Sequence, residues 1–204
     1  MKTTKILISI ILITTLSSFL IKGNDAKIWT EQTNVKKAIK FEKSISENIE
    51  FLKQNVSLSK SSFPLVDQYD LANPIVVKRE INGKLPVYAQ YFFSETDSII
   101  RFVSYDWEID KYGNYFKKQD IWKQEAKKLD KYNRKYNQIK SFLSESIGKP
   151  RIEDSKPKVT KSKWEKEDYL SRKTEWETDK IYSSLSLVFA SNTYRIRWNY
   201  YWKE

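Results

Sequence analysis

The sequence predicts an α+β fold in which two amphipathic helices pack on antiparallel β-sheet. Three observations predict it. Two stretches place apolar residues three and four positions apart, which is the helical period. Each stretch is followed by three runs that alternate apolar and polar residues, with turn-forming residues between the runs. The order helix, strand, strand, strand therefore occurs twice, as in a tandem αβββ repeat (αβββ-αβββ).

Residues 193–202 form the clearest strand, because neighbouring side chains alternate in character. One side is apolar and aromatic and consists of Tyr194, Ile196, Trp198, Tyr200 and Trp202. The other side is mostly polar and consists of Arg195, Arg197, Asn199 and Tyr201. A period of two with one apolar side is typical of a half-buried β-strand.

Residues 1–26 are predicted to be a secretory signal peptide or an N-terminal anchor. A short basic head precedes sixteen uncharged residues, 6–21, and polar residues follow them. The apolar run is shorter than the roughly 20 residues that a spanning helix needs. Ala26 is the best small residue near a cleavage site. We therefore expect an exported protein, periplasmic or secreted, or one that residues 6–21 anchor to the membrane.

Composition excludes several kinds of chemistry. The 204-residue chain contains no cysteine and no histidine, so disulfides, thiolate nucleophiles, the commonest metal ligands and the commonest general base are all absent. The net charge is +11, and removal of residues 1–26 would take away three lysines and one aspartate and leave +9. A basic protein favours anionic partners, although net charge alone identifies none of them.

The first predicted unit spans residues 27–110. Its helix begins at a Thr33 cap and continues to Val56, with Phe41 or Glu42 on the apolar side. Strands are predicted at residues 75–81, 84–93 and 98–108. Asn82-Gly83 between the first two is a strong hairpin signal, because both residues tolerate the positive φ of a type I′ turn.

The second predicted unit spans residues 111–204, and the two units form one continuous sheet or two small ones. A loop at residues 110–116 leads into the longest helix, 117–147, whose inward line begins at Trp122. Gly148 and Pro150 end that helix. Residues 151–167 are charged and are predicted to be a mobile excursion. Strands follow at residues 169–176, 180–190 and 193–202.

The two units also show similar residues at an offset of about 95. Tyr105 and Trp107 match Tyr200 and Trp202, for example. The match fails at Arg101, which takes the core-facing position that Ile196 holds in the second unit. Either a β-bulge shifts the register at Arg101, or both faces of that strand are covered.

The aromatic side chains on these strands allow two interpretations. A flat set of rings could bind sugars, but large aromatic side chains on a strand that faces an amphipathic helix are usually core. We therefore predict that Tyr105, Trp107, Trp198, Tyr200 and Trp202 belong to the core.

The opposite, polar side of the last strand is the candidate binding surface: Arg195, Arg197, Asn199 and Tyr201. Two guanidinium groups two residues apart could hold a carboxylate or a phosphate. Alternating arginines also protect a sheet from edge pairing, which is the simpler explanation. The many lysines of the second helix are typical of a solvated surface; lipid headgroups or an acidic protein are the next alternatives.

Asp106, Glu108 and Asp110 alternate at a strand end, a pattern that a calcium site or a carboxylate pair for glycoside chemistry could use. The glycine of a calcium loop and a second acidic cluster are missing, and no catalytic motif is present. We assign no catalytic residue, no metal ligand and no cofactor.

The predicted function is non-enzymatic binding in the cell envelope or outside the cell. The layout resembles that of small exported inhibitor or binding proteins, an analogy of architecture that fixes no function. The expected partner is a protein or an anionic envelope component; nucleic acid is not expected, and contact with a membrane would come only through an uncleaved leader. The alternatives are a carboxylate-based hydrolase acting on a polysaccharide and a membrane-tethered structural protein.

Overall fold

The computed structural model describes residues 32–45, 48–80, 85–109, 126–161, 168–190 and 193–203. This part of the chain contains two α-helices, α1 (Val35–Ile45) and α2 (Ala126–Ile147), and a short 3-10 helix (Val66–Gln68). Its strands are, in chain order, β1 (Ile49–Leu52), β2 (Ile75–Arg79), β3 (Val87–Phe93), β4 (Ile100–Ile109), β5 (Ile152–Glu153), β6 (Lys158–Lys161), β7 (Asp168–Glu177), β8 (Ile181–Phe189) and β9 (Tyr194–Trp202).

The nine strands form one antiparallel sheet. Their spatial order is β1-β2-β3-β4-β9-β8-β7-β5, and β6 pairs with β7 beside β5. The centre of the sheet is the pair β4 and β9, in which Phe102 lies opposite Tyr201 and Ile109 opposite Tyr194. The predicted α+β class with an antiparallel sheet is confirmed. The proposed repeat remains a prediction.

The inner face of the sheet, which bears Tyr105 and Trp198, carries the main core. Tyr105 and Trp107 of β4 and Trp198 of β9 are at most 1% exposed, and the Tyr105 and Trp198 rings stack with centroids 5.1 Å apart. The Trp198 indole Nε1 donates to Ser183 Oγ at 2.7 Å, so the buried ring also has a polar partner. The prediction that these rings are core is confirmed for Tyr105, Trp107, Trp198 and Tyr200, whereas Trp202 is half-buried.

Residues of both helices contact this inner face. Tyr136 of α2 is fully buried, and its hydroxyl lies 2.8 Å from Thr174 Oγ1 on β7. The Glu42 carboxylate of α1 accepts hydrogen bonds from Arg79 of β2 and Tyr91 of β3. The apolar side of α2 consists of Tyr132, Tyr136, Ile139 and Leu143, all of which are at most 1% exposed.

The first helix is shorter than predicted. It ends at Ile45 instead of continuing to Val56, because residues 49–52 form the edge strand β1, whose backbone pairs with β2. Asn34 caps the helix in place of Thr33, since the Lys37 backbone N–H donates to Asn34 Oδ1 at 3.0 Å. A short apolar run fits either structure, and the free edge of β2 supplies hydrogen-bond partners that favour the strand.

The segment predicted as a mobile excursion contains two edge strands. β5 and β6 both pair with β7, although their sequences carry no apolar alternation. Edge strands are exposed on both sides and tolerate charged side chains, so hydrophobic periodicity does not detect them. The second helix is described only from Ala126; its predicted start at 117–125, the loop at 110–116, the Asn82-Gly83 turn and the leader lie outside the described residues.

Arg101 lies at a β-bulge, which is one of the two predicted explanations for its core-facing position. The β3–β4 register shifts between Phe92 and Phe93, so that Phe92 pairs with Phe102 and Phe93 with Ile100. Both faces are also covered there, because Ile100 belongs to the inner core and Phe102 to a second cluster on the outer face. Both explanations of the broken pattern are therefore correct.

The second cluster covers one end of the outer face, the face that bears Asp106 and Arg197. Phe63, from the segment between β1 and β2, is fully buried there. Its ring centroid lies 5.2 Å from that of Tyr201 and 5.6 Å from that of Phe102. This segment leaves the polar remainder of the outer face open.

A candidate binding groove on the outer face of the sheet

The open part of the outer face is a polar groove of about 390 Å³. It crosses five neighbouring strands, because alternate residues of adjacent strands point to the same side of a sheet. The lining residues are Glu50, Leu52, Gln54, Lys78, Tyr88, Gln90, Asp106, Glu108, Arg195 and Arg197. Its charged side chains are three cations and three carboxylates, so the groove as a whole has no net charge that would attract anions.

Arg197 is held in place by Asp106 on the neighbouring strand. Its Nε donates to Asp106 Oδ1 at 2.7 Å and its Nη2 to Asp106 Oδ2 at 2.6 Å. This is the bidentate geometry that suits a guanidinium and a carboxylate. Burial alone would lower the pKa of Arg197. The hydrogen bonds that Arg197 makes to Asp106, together with the negative charge of Asp106, raise this pKa above its ordinary value. Arg197 is therefore a structural cation of the groove floor.

Arg195 differs from Arg197 in having no such partner. It pairs in register with Glu108 of β4, yet no ion pair joins the two side chains. The Glu108 carboxylate instead accepts a hydrogen bond from the Thr193 hydroxyl at 2.6 Å. The Arg195 Nε is buried and makes no hydrogen bond to the described part of the chain. Arg195 thus lies at the end of the groove without a hydrogen-bonded counter-ion in the described part of the chain.

The other two predicted site residues do not line the groove. The Asn199 side chain is half-buried, and its Oδ1 accepts a hydrogen bond from Ser104 Oγ at 2.9 Å. Tyr201 is only 8% exposed and packs between Phe63 and Tyr182, the latter ring 5.0 Å away. The prediction that Tyr201 belongs to an accessible polar surface is wrong, because the Phe63 segment covers it.

Other groove residues were not singled out from the sequence. Tyr88 and Gln90 alternate with the buried residues of β3, so the period of that strand does signal their outward position. Lys78 forms an ion pair with Glu80 at 2.5 Å, and this hydrogen bond raises its pKa. Glu50 has no comparable signal, because its strand was predicted to be helical.

The carboxylates of the groove already accept hydrogen bonds within the protein. Asp106 accepts from Arg197, and Glu108 accepts from Thr193. Asp110, the third acid of the predicted series, lies outside the described residues. Over the ranges that the structure describes, no group of three or more acidic side chains is placed to share a metal ion.

A second polar cluster lies on the outer face at β7. Glu175 is 4% exposed and receives hydrogen bonds from Arg151 Nη2 and from the Tyr182 hydroxyl, each at 2.9 Å, in addition to an ion pair with Lys173. Burial alone would raise the pKa of Glu175, but these three partners outweigh burial and lower it. The cluster fastens the β5 edge to the sheet.

Comparison with protein families, with curated proteins and with solved structures finds no match to this chain. Neither helix in the described ranges is long and apolar enough to cross a membrane.

Proposed function

We propose that this chain is an exported, non-enzymatic binding protein whose ligand site is the groove on the outer face. The observation that carries the proposal is Arg195, a guanidinium that lines the groove and makes no hydrogen bond or ion pair with the described part of the chain. A half-buried guanidinium that no carboxylate of the protein engages can donate hydrogen bonds to a ligand, and these bonds recover part of the cost of its burial. The site is therefore suited to a ligand that brings an acceptor to Arg195.

The acceptor is an anionic group, a carboxylate or a phosphate. A guanidinium binds such planar or tetrahedral oxygen groups with two parallel hydrogen bonds. Gln90 and Tyr88 provide neutral polar contacts for the rest of the ligand across the groove. The nearby acids, Asp106 and Glu108, reject a second negative charge, so the ligand presents one anionic end on an otherwise neutral polar body. A protein or an envelope component with such a group is the proposed partner.

The competing hypothesis is a carboxylate-based hydrolase that acts on a polysaccharide. Such an enzyme needs one acid that can release a proton and a second that stays ionised. The Asp106 carboxylate is tied to Arg197 through both oxygens, which favours a structural role over proton transfer. The enzyme hypothesis would be supported if wild type hydrolysed a polysaccharide and Asp106→Asn did not.

We also propose that the sheet is built from two related halves. Each half contains a helix followed by strands, with α1 before β1–β4 and α2 before β5–β9. Ser104 and Asn199 pair across the centre of the sheet and are 95 residues apart, the offset at which Tyr105 and Trp107 match Tyr200 and Trp202. A twofold axis between Ser104 and Asn199 would relate the halves. Superposition of β2–β4 on β7–β9 about that axis tests this, and a helix that then falls on the opposite face would refute it.

Export rests on the composition of residues 1–26, and a periplasmic or secreted location follows from it. N-terminal sequencing of the mature protein tests cleavage. Retention of residues 1–21 would favour the alternative of a membrane-tethered protein. Detection of the protein only in the cytoplasm would refute export altogether.

The groove is tested by capture from an envelope extract with wild type, Arg195→Gln and the control Lys180→Gln. Lys180 is an exposed cation in the turn before β8, so the two variants lose the same charge. We expect a partner that wild type and the control retain and that Arg195→Gln loses. Identical partners on all three proteins would eliminate Arg195 as a ligand contact.

A further inference from the structure

The positive charge of the protein is concentrated on its two helices. α1 and α2 together have 33 residues, and they contain ten Lys and Arg against three Asp and Glu, a net charge of +7. The described strands contain nine Lys and Arg against seven Asp and Glu, a net charge of only +2. Two short elements therefore carry most of the +11 of the whole chain.

Burial makes this difference larger at the surface. Of the three helical acids, Glu42 is fully buried and is neutralised by Arg79 of β2. The acids that remain on the outside of the helices are Asp130 and Glu145. The described helical surface thus has seven exposed cations against these two carboxylates: Lys36, Lys37, Lys40, Lys43, Lys128, Lys131 and Arg134.

Several of these cations are free to bind a partner. Five of them are exposed, and their side chains make no ion pair or hydrogen bond to the described part of the chain: Lys36, Lys37, Lys40, Lys131 and Arg134. Free exposed cations keep their charge available to a ligand, whereas paired ones lose part of it to the protein.

Both helices contact the same, inner face of the sheet. Glu42 of α1 reaches Tyr91, and the Tyr91 hydroxyl lies 2.9 Å from that of Tyr105. Lys135 of α2 places its Nζ 5.9 Å from the centre of the Trp107 ring, next to Tyr105 on β4. The free cations of the two helices therefore lie on one side of the molecule. α2 alone is about 33 Å long at about 1.5 Å per residue, so the charge is spread over an extended surface.

The apolar side of α2 is not available to a membrane. A helix that lies in a bilayer interface buries its apolar side among the lipids. Here that side, with Tyr136 and Leu143, is fully buried against the sheet. In the described part of the chain the exposed large hydrophobic residues are Phe51, Ile152 and Val159, all of which lie on strands. The helical surface can therefore attract a partner by charge alone.

We infer that the outer surfaces of α1 and α2 form a docking surface for a linear polyanion, a polymer with closely spaced phosphate or carboxylate groups. The surface holds the protein on the polymer, while the groove on the opposite face of the sheet stays open to its own ligand. The inference rests on the charge distribution and does not depend on the ligand of Arg195. Binding by charge alone is reversible and falls steeply with salt.

The test compares the full chain with two charge variants on immobilised long-chain inorganic polyphosphate. The helix variant carries Lys36→Gln, Lys37→Gln, Lys40→Gln, Lys131→Gln and Arg134→Gln. The control variant also loses five exposed and unpaired lysines, but from loops, turns and strand β6: Lys53, Lys149, Lys156, Lys161 and Lys180. Gln and Lys have similar helix propensities, and coincident thermal unfolding of the three proteins checks that the fold is unchanged.

We expect the helix variant to bind at least about tenfold more weakly than wild type at 0.1 M salt, with a slope of log K against log salt that is smaller by about three. The control variant is expected to stay close to wild type. Equal losses in the helix and control variants would show that only net charge matters, and would overturn the proposal. Binding of wild type to anionic phospholipid vesicles but not to polyphosphate would also overturn it.

Discussion

Replacing Glu42 with Gln should destabilise the protein by about 3–5 kcal/mol, the usual effect of removing one partner of a buried ion pair. Glu42 is fully buried and Arg79 is 3% exposed. The carboxylate accepts from Arg79 Nε at 2.5 Å and also from Arg79 Nη2 and the Tyr91 hydroxyl. Gln keeps the shape but leaves the Arg79 charge without its counter-ion. Since small domains unfold with about 5–15 kcal/mol, this is a large part of the total stability.

The double variant Glu42→Leu/Arg79→Met separates the ion pair from the packing. Apolar replacement of both partners of a buried pair is often neutral or stabilising, so we expect the double variant to recover most of the loss. The Tyr91 hydroxyl keeps a partner in Tyr105, 2.9 Å away. Urea unfolding at pH 7 of wild type, Glu42→Leu, Arg79→Met and the double variant gives the coupling free energy. A single variant within about 1 kcal/mol of wild type, or a double variant as unstable as the sum of the singles, would refute the reasoning.

Two further predictions concern the outer face. Phe63→Ala should lower the free energy of unfolding by about 3 kcal/mol, because it removes a fully buried ring that packs against Tyr201. The control Phe51→Ala, at a ring that is 43% exposed, should change the free energy of unfolding by less than about 1 kcal/mol. Equal effects in urea unfolding would show that the Phe63 segment does not pack in solution. Glu175 has a pKa below its ordinary value of 4.5, so it stabilises the fold above that pH, and this contribution is lost as the pH falls through the lowered pKa. Glu175→Gln should therefore be less stable than wild type at pH 7, and its free energy of unfolding should fall less steeply as the pH is lowered. Parallel plots of the free energy of unfolding against pH for the two proteins would contradict this.

The strands of the second half were predictable because their side chains alternate so regularly. Residues 169–176 were predicted for β7, which runs from Asp168 to Glu177, and residues 193–202 for β9, which begins at Tyr194. In these strands one face meets the core and the other meets solvent or polar neighbours, which is the condition under which a period of two appears in the sequence.

The parts that were not predictable depend on long-range contacts. Glu42 occupies an apolar position of α1, and its sequence neighbourhood does not reveal that Arg79 will meet it there. β1, β5 and β6 become strands because a neighbouring edge offers backbone partners, and their own residues contain little strand signal. Local patterns describe one element at a time, whereas these features belong to pairs of elements.

The candidate site shows the same limit. The alternation of β9 predicts that Arg195 and Arg197 share a polar surface, but it does not include the acids of β4 in that surface. The sequence gives no indication that β4 lies beside β9, and only that pairing joins Arg197 to Asp106. The same pairing leaves Arg195 unpaired beside Glu108. Which of two similar arginines is free to bind a ligand is therefore a property of register, not of composition.

The central position of β9 has a consequence for how the chain reaches its folded state. Its neighbours β4 and β8 precede it in the chain and touch each other nowhere in the sheet order. Without residues 194–202 the sheet order would leave two half-sheets, with bare edges at β4 and at β8. Such edges invite aggregation and proteolysis. Pairing of β9 with both neighbours removes these two edges at once.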